Sequence, residues 1–292
     1  MILIPDAGSN DVEECKILHD QEKQIIILDH HICEVENPYA IVINTENSDY
    51  PNKALCGCGV TWQFCRYIDK NYNYSFADKY VDLVALTLIS DMMDLRSIET
   101  KHLIQKGLKN IHNPFIVYMA EKNSYSLGGK LTPIGVAFYI VPFVNCVMRS
   151  GTQEEKELLL NSMIVHNAFK EAPSTKRGHK SGDTEKIVEQ AVRVSTNVKA
   201  RQTKTQNAVV EVLKENIKKK HLLDHKVLLF LLDPGEVDRN VAGLCANKIM
   251  SEYQRPVCVL TKTQDENSKI IYQGSMRGCT KAGIDNFKEV CD

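Results

Sequence analysis

The chain has 292 residues, of which 43% are hydrophobic and 25% are charged, and its formal net charge is −1. This composition is that of a globular protein, excludes a disordered or fibrous chain, and points to no charged class of partner. The length is enough for two domains, each with its own core. The ten cysteines have no paired zinc spacing, which favours reduced thiols over a disulfide or zinc framework. Without a signal-peptide pattern or an apolar run of roughly 18 residues, we expect a cytoplasmic protein with no membrane partner.

The chain begins with a strand, a helix and a second strand. Residues 2–4 are an apolar strand that runs into the turn "PDAGSND", residues 11–20 have a helical pattern, and residues 24–28 are an aliphatic run. Because this run lacks polar alternation, it is typical of a parallel strand covered on both faces. The right-handed crossover then brings the turns at Asp6 and Asp29 to the carboxyl edge of one sheet, where ligand sites of such sheets lie.

Helices are predicted for most of the following region. Residues 40–52 indicate a third short strand and a turn, and the stretch "GVTWQFCRYIDK" indicates a helix. The apolar run in "DKYVDLVALTLISDMMDL" favours a helix that ends near Asp91. Further helices, broken at Gly128 and Gly129, continue to about residue 160. Residues 166–183 are expected to be an exposed basic loop, and residues 184–220 a long helix without glycine or proline.

A second α/β unit is predicted near the C-terminus. The stretches "KVLLFLLD" and "PVCVLT" indicate strands on either side of the helix "RNVAGLCANKIMSEY", and "KIIYQGSMRG" indicates a strand leading into a glycine-flanked loop. The predicted fold class is therefore α/β. We expect an N-terminal domain with a parallel sheet flanked by helices at residues 1–160, a basic loop and connecting helix at 161–220, and a smaller α/β domain at 221–292.

Acidic and histidine side chains are predicted to meet at the edge of the N-terminal sheet. The candidates are Asp6, the consecutive trio Asp29, His30 and His31, and Asp91. Carboxylate and imidazole ligands without a nearby thiolate suit Mn²⁺ or Mg²⁺. Such a set is typical of two-metal phosphoester hydrolases, in which one ion activates water and the other stabilises the leaving oxygen. The alternative for the histidines is a surface or core role, and for Asp91 a helix cap.

These motifs resemble those of the DHH phosphoesterase superfamily, and more closely its RecJ branch of single-strand-specific exonucleases. The triplet Asp29-His30-His31 matches the motif that names the superfamily, and Asp6 and Asp91 match the aspartate motifs before and after it. The stretch "CGCGVTWQF" resembles the family's glycine-valine helix start, and "VNCVMRSG" its asparagine-to-arginine motif. In the second domain, "GSMRG" resembles the substrate-binding loop of the DHH-associated domain.

The resemblance implies hydrolysis of single-stranded DNA from its 5′ end with Mn²⁺ or Mg²⁺, and two ions in the complete site. Asp29, His30 and His31 are the implied catalytic residues. The implied metal ligands are Asp6, His30 and Asp91, with Asp29 and His31 completing or supporting the site. The implied substrate-binding residues are Asn145, Arg149, Gly274, Ser275, Arg277 and Gly278.

The roles of the two arginines have alternatives. An arginine fork orients phosphate oxygens, which suits Arg277, although a solvated loop arginine is the simpler interpretation. Arg149 could equally be structural.

The sequence departs from the family pattern at both ends. The family's strand with an Asp-x-Asp motif is not found before Asp6, and its glycine-glycine-histidine motif is not found before Cys291 and Asp292. We expect an unfilled sheet position and an under-liganded metal, and both a piece of a longer gene product and a compact version of the family remain open. Two other functions also remain open: a phosphodiesterase for oligonucleotides or cyclic dinucleotides, and a catalytically weak scaffold that binds DNA or replication proteins.

Overall fold

The computed structural model describes residues 1–265, 268–284 and 287. It divides into two compact units, one made of Met1–Asn145 with Gln153–Val194 and the other of Cys146–Thr152 with Ser195–Asp292. The family's closing motif was not found before Cys291 and Asp292 in the sequence. These two residues lie outside the part of the chain that the structure describes. The cysteines within the described part of the chain are free thiols.

A parallel sheet forms the start of the N-terminal unit, as the sequence predicted. Its strands lie in the order β1-β2-β3, and helix α1 connects β1 to β2. Cys15 on the helix packs with Ile25 and Ile27 on the middle strand in a buried cluster. All three strands therefore end at one edge, where Asp29 pairs with Asn44 in the register. The bounds are β1 Ile2–Pro5, α1 Val12–Asp20, β2 Ile25–Asp29 and β3 Ile41–Asn44.

The helices that follow β3 have the predicted pattern. The most apolar of them, α3, ends at Ser90 with Asp91 as its C-cap, and seven of its residues are buried. Helix α5 begins at Pro114, where Asn113 accepts hydrogen bonds from the backbone N–H groups of Phe115 and Ile116. The bounds are α2 Gly57–Tyr72, α3 Val81–Ser90, α4 Ile98–Lys109, α5 Pro114–Lys122, α6 Ser124–Leu127, α7 Pro133–Tyr139, α8 Val141–Ser150, α9 Gln153–Met163 and α10 Val165–Ala168.

The prediction of an exposed basic loop at residues 166–183 was wrong in part. Strand β4, Glu171–Pro173, pairs antiparallel with β5, Thr184–Lys186, and the basic residues lie in the turn between them. The carboxylate of Glu185 is buried here and pairs with Arg193, which holds the hairpin together. The long helix α11, Ile187–Lys219, consequently begins after this strand and not at residue 184.

The C-terminal unit is a mixed sheet covered by helices. Strands β6, Leu228–Leu232, and β7, Val257–Gln264, are parallel, and β8, Ile270–Arg277, is antiparallel to β7. Helix α12, Arg239–Tyr253, connects β6 to β7 and has the predicted bounds. Side chains of α11, α12, β6 and β7 share one core. The predicted glycine-flanked loop was wrong, because the residues from Gly274 to Arg277 pair with β7 as part of β8.

One apolar stretch corrects the expectation that no segment is of membrane-spanning length. Within the described residues, Pro133–Ser150 has a mean hydropathy of 1.3 over 18 residues, and 28% of it is buried. It meets the test by length and composition alone, a test that core helices of water-soluble proteins also pass. The sequence criterion missed it because it required an uninterrupted apolar run. Polar residues interrupt this stretch, but its mean hydropathy is still high enough for a membrane-spanning helix. The structure breaks the stretch at Ile140, between α7 and α8.

Candidate metal centre

Asp29 organises the carboxyl edge of the N-terminal sheet. Its side chain is 1% exposed. One carboxylate oxygen accepts hydrogen bonds from the backbone N–H groups of His30 and His31, at 2.8 and 3.3 Å, and the other accepts one from the N–H of Ser9 at 3.3 Å. Burial raises the pKa of Asp29, but the hydrogen bonds from His31, Ser9 and the backbone outweigh it and bring the pKa to about 2. Asp29 is therefore an ionised, fully engaged acceptor.

His31 is oriented by this carboxylate. Its Nδ1 lies 2.7 Å from Asp29 Oδ1, and this hydrogen bond raises the pKa of His31. An imidazole that donates one ring nitrogen to a carboxylate presents the other as a metal ligand, in a fixed tautomer. Asp29 thus supports the site through His31 and is not itself in the group of converging ligand atoms.

Asp6 holds its position through an uncommon backbone conformation. It follows β1 directly, its N–H donates to the carbonyl of Leu28 at 2.8 Å, and its φ angle is 61°. A left-handed conformation is rare outside glycine, and aspartate is among the residues that tolerate it. Gly57, at the start of α2, lies against this carboxylate so closely that a Cβ there would overlap Asp6 Oδ1. Gly57, the first glycine in "CGCG", is therefore required by the position of Asp6.

Three side chains converge into a potential metal site. Asp6 Oδ1 lies 3.2 Å from His30 Nε2. Asp6, His30 and His31 each offer a ligand atom, and these atoms lie within 4.8 Å of one another. One carboxylate and two imidazoles form a donor set that suits a divalent cation.

Asp91 interacts electrostatically with these three residues, but its carboxylate is not part of the group whose ligand atoms lie within 4.8 Å of one another. Partial burial of its carboxyl group raises the pKa of Asp91, and repulsion from Asp6 raises it further, while His30 and His31 lower it. A divalent cation would offset that repulsion, so the residues present fit a metal ion. Asn145, on α8, is also brought to this region, because its side chain lies 3.4 Å from Ser90 Oγ, next to Asp91.

The remaining predicted residues belong to the C-terminal unit. Ser275 and Arg277 share one face of β8, against α12. A Cβ at Gly243 of that helix would lie 2.9 Å from Arg277 Nη2 and 3.3 Å from Ser275 Oγ. Gly274 pairs with Leu260 so closely that a Cβ would overlap the Val259 carbonyl, which explains this glycine by packing. Gly278 follows the strand, and Arg149 lies in the last turn of α8.

An exposed aromatic surface was missed by the sequence analysis. Tyr72, Tyr74 and Phe76 are 68%, 57% and 56% exposed. The rings of Tyr72 and Tyr74 are stacked with centroids 6.4 Å apart, and those of Tyr74 and Phe76 are 5.6 Å apart. Lys79 Nζ lies 5.2 Å from the centre of the Phe76 ring. The alternation of aromatic and polar residues in "YNYSF" is the signal that could have located it.

Comparisons with known proteins identify the class of this domain. Residues 1–88 match the DHH family, N-terminal domain. The chain is 35% identical over 290 residues to the putative SPbeta prophage-derived single-strand DNA-specific exonuclease YorK of Bacillus subtilis (strain 168), and equally to its counterpart in Bacillus phage SPbeta. The alignment covers 99% of this chain and 50% of each relative, so the chain spans about half the length of the curated relatives it matches.

Solved structures identify the fold. The chain is similar to RecJ from Thermus thermophilus in complex with Mn²⁺, with a TM-score of 0.70 and 20% identity over 89% of this chain and 36% of that one. It is also similar to an exonuclease RecJ bound to manganese, with a TM-score of 0.66 and 20% identity over 89% of this chain and 60% of that one. Residues 1–88 therefore match the N-terminal domain of the DHH family, and the fold is that of RecJ proteins, as the motifs around Asp29-His30-His31 predicted.

Proposed function

We propose that this protein hydrolyses phosphodiester bonds of single-stranded DNA from the 5′ end, with Mn²⁺ or Mg²⁺ at the Asp6, His30 and His31 group and a second ion nearby. The convergence of these ligand atoms within 4.8 Å is the observation that carries the proposal. The names of the two curated relatives, as single-strand DNA-specific exonucleases, support it. The free thiols support action in the reducing cytoplasm.

The chain's own residues prepare the site for this chemistry. Bound divalent ions would lower the pKa of a water molecule and stabilise the leaving oxygen. Asp29 fixes the imidazole of His31 through a 2.7 Å hydrogen bond to Nδ1. The ring is therefore held in one tautomer, in which His31 Nε2 is available as a metal ligand. Asp6 is held in place by its left-handed backbone and by Gly57. These constraints preorganise the ligand atoms before substrate binds.

Two further surfaces suit the substrate. In the C-terminal unit, the Arg277 guanidinium and the Ser275 hydroxyl share one face of β8, where they can bind phosphate oxygens. In the N-terminal unit, the exposed rings of Tyr72, Tyr74 and Phe76 suit the stacking of unpaired bases, which duplex DNA does not offer. Together these features favour a single-stranded substrate.

The test is cleavage of single-stranded DNA by the full chain. We expect Mn²⁺-dependent release of mononucleotides from the 5′ end, and no release in the presence of a chelator. Asp29→Ala and His30→Ala should abolish release, whereas His102→Ala, which removes an exposed histidine on α4, should leave it unchanged. Activity that persists in Asp29→Ala and His30→Ala would refute the assignment of this site.

The choice of substrate separates the proposal from its alternatives. DNA labelled at either end reports polarity, and cyclic dinucleotides and dinucleotides tested beside it report whether short substrates are preferred. Binding of single-stranded DNA without cleavage at saturating Mn²⁺ would favour the scaffold function.

A further inference from the structure

Asn44 lies at the carboxyl end of β3, opposite Asp29 in the parallel register of the sheet. It is 4% exposed and belongs to none of the motifs found in the sequence. Its side chain accepts a hydrogen bond from the Glu46 N–H at 2.8 Å. Because a backbone N–H can only donate, the atom that it meets is the amide oxygen of Asn44. The amide nitrogen, Nδ2, is therefore the donor toward the rest of the sheet edge.

This nitrogen contacts two segments of the metal centre at once. It donates to the His31 carbonyl at 2.9 Å and to the Ser9 hydroxyl at 3.0 Å, and Cys33 Sγ lies 3.4 Å away as a third acceptor. Sulfur is the weakest acceptor of the three. Ser9 in turn donates from its backbone N–H to Asp29 at 3.3 Å. One side chain on β3 thus connects the turn after β1 with the segment after β2.

The contacts of Asn44 reach both partners of the hydrogen bond that orients His31. The bond to the His31 carbonyl holds the backbone that carries the imidazole. The bond to Ser9 holds the residue whose N–H donates to Asp29, and the Asp29 carboxylate contacts His31 Nδ1. In a buried network whose groups are hydrogen-bonded, each member restricts the others. The donor of Asn44 therefore acts on the metal centre without contacting a metal ion itself.

We infer that Asn44 is a positioning residue of the metal centre: its amide donor holds His31 and, through Ser9, Asp29 in the geometry that binds a divalent cation. The inference rests on the metal site of the proposed function, but it concerns metal binding and not cleavage. Partners that orient metal ligands typically contribute a factor of about 10 to 100 to metal affinity. Loss of the Asn44 donor should weaken metal binding by about that factor.

A simpler role for Asn44 is to form the turn after β3, since asparagine side chains commonly accept from the N–H two residues on. Asn52 is a matched control for that role. Its oxygen accepts from the Ala54 N–H at 2.9 Å, and it is 7% exposed. Its nitrogen donates to Glu99 and Thr100, at 2.9 and 3.1 Å. The two asparagines thus form the same kind of turn, but the donor of Asn52 binds helix α4 instead of the metal centre.

The experiment measures binding of Mn²⁺ to the full chain without DNA, by electron paramagnetic resonance of the free ion. We expect Asn44→Ala to weaken binding about 10- to 100-fold and Asn52→Ala to leave it unchanged. Both variants should lower the melting temperature of the metal-free protein, because each loses buried hydrogen bonds. A turn role alone would give two variants that lose stability alike and bind Mn²⁺ as the wild type does.

Asn44→Asp separates the donor from the acceptor. It retains an oxygen for the Glu46 N–H and places an acceptor against the His31 carbonyl. The added negative charge would by itself favour a cation, so weaker Mn²⁺ binding by the folded variant would come from the lost donor. Ser9→Ala is the mildest variant, because it removes one acceptor of Asn44 and retains the N–H that donates to Asp29. We expect both variants to bind Mn²⁺ more weakly than the wild type.

The inference is overturned if the wild type binds no Mn²⁺, if folded Asn44→Ala binds it as tightly as the wild type, or if Asn52→Ala loses as much affinity. Should neither Asn44 variant fold, as judged by circular dichroism, unchanged affinity in Ser9→Ala would overturn it. Mn²⁺ binding that depends on Asn44 in a chain that cuts no DNA would support this role and refute the nuclease. DNA cleavage with unchanged Mn²⁺ affinity in Asn44→Ala would do the reverse.

Discussion

Asp29 and Glu185 are both buried carboxylates of the N-terminal unit, but their surroundings differ. Glu185 pairs with the guanidinium of Arg193 and the ammonium of Lys176, and it accepts a hydrogen bond from the Thr175 N–H at 3.0 Å. Asp29 accepts from backbone N–H groups and an imidazole, with no lysine or arginine among its described ion pairs. Both have a lowered pKa.

This difference separates a structural carboxylate from one that supports a ligand site. The charge of Glu185 is offset by two cationic side chains, so it needs no added cation. Asp29 directs its charge toward His31, while Asp6 and Asp91 repel each other nearby. The missing positive charge at this edge is what a divalent cation supplies. Burial and a low pKa alone would not have distinguished the two carboxylates; their partners do.

The largest effect is expected for removal of a metal ligand. His30→Ala should slow single-turnover cleavage of single-stranded DNA by about a thousandfold or more, which is equivalent to about 4 kcal/mol in the barrier. The reason is that a bound metal ion stabilises the charge of the transition state by several kcal/mol. Folding should be retained, as judged by circular dichroism. A rate within about tenfold of the wild type would contradict the conclusion that the Asp29 region, unlike the Glu185 region, holds a metal ion.

Removal of the partner of Glu185 should act on stability instead. Arg193→Ala leaves a buried carboxylate without its closest cation and should lower the free energy of unfolding by roughly 3 kcal/mol, measured by urea titration. The cleavage rate of the folded variant should equal that of the wild type. Arg177→Ala, in the exposed turn of the same hairpin, is the control and should change neither. Equal destabilisation by both variants would show that the pair is not the cause.

Gly57→Ala tests whether the position of Asp6 depends on the glycine. The added methyl group would displace the carboxylate and should weaken metal binding roughly 10- to 100-fold, the range found for residues that orient ligands. Helix stability should not fall, because alanine is a better helix former than glycine. Gly59→Ala is the matched control, since the atoms nearest to its Cβ would be those of the Leu55 side chain, from 3.2 Å, and not those of Asp6. Equal metal affinity in the two variants would contradict this role of Gly57.

Patterned segments were predicted well because local sequence determines them. The aliphatic run before Asp29 fixes a buried strand, and its parallel partner brings Asp6 to the same edge. The start of α12 is encoded locally by Asp238, whose side chain accepts a hydrogen bond from the Asn240 N–H. The candidate ligands at the sheet edge could therefore be located from the sequence.

Features that depend on distant contacts were not predicted. The hairpin of β4 and β5 has no apolar alternation and depends on ion pairs of Glu185 across the turn and with α11. The stretch "GSMRG" suggested a loop because of its glycines, yet Gly274 is present for close strand packing.

A smaller effect is expected at the aromatic surface. Tyr74→Ala should weaken binding of single-stranded DNA about tenfold, because stacking of a base on an aromatic ring contributes about 1–3 kcal/mol. Tyr125→Ala, which removes a tyrosine that is 99% exposed, should have no effect. The dependence of affinity on salt concentration should be unchanged by Tyr74→Ala, since no phosphate contact is lost. A changed salt slope, or an equal loss in Tyr125→Ala, would contradict the stacking role.

The smallest effect is a pH dependence that follows from the Glu185 pair. Burial raises the pKa of Glu185, but the Thr175 N–H, Arg193 and Lys176 outweigh it, so the pKa lies below its ordinary value of 4.5. A depressed folded-state pKa stabilises the protein above the unfolded-state pKa, and this contribution is lost as the pH falls through the folded-state value. The stability difference between wild type and Glu185→Gln should therefore be constant near neutral pH and shrink below about pH 4.5. A difference that stays constant into acid would show that the charge of Glu185 does not stabilise the hairpin, and its contrast with Asp29 would then rest on geometry alone.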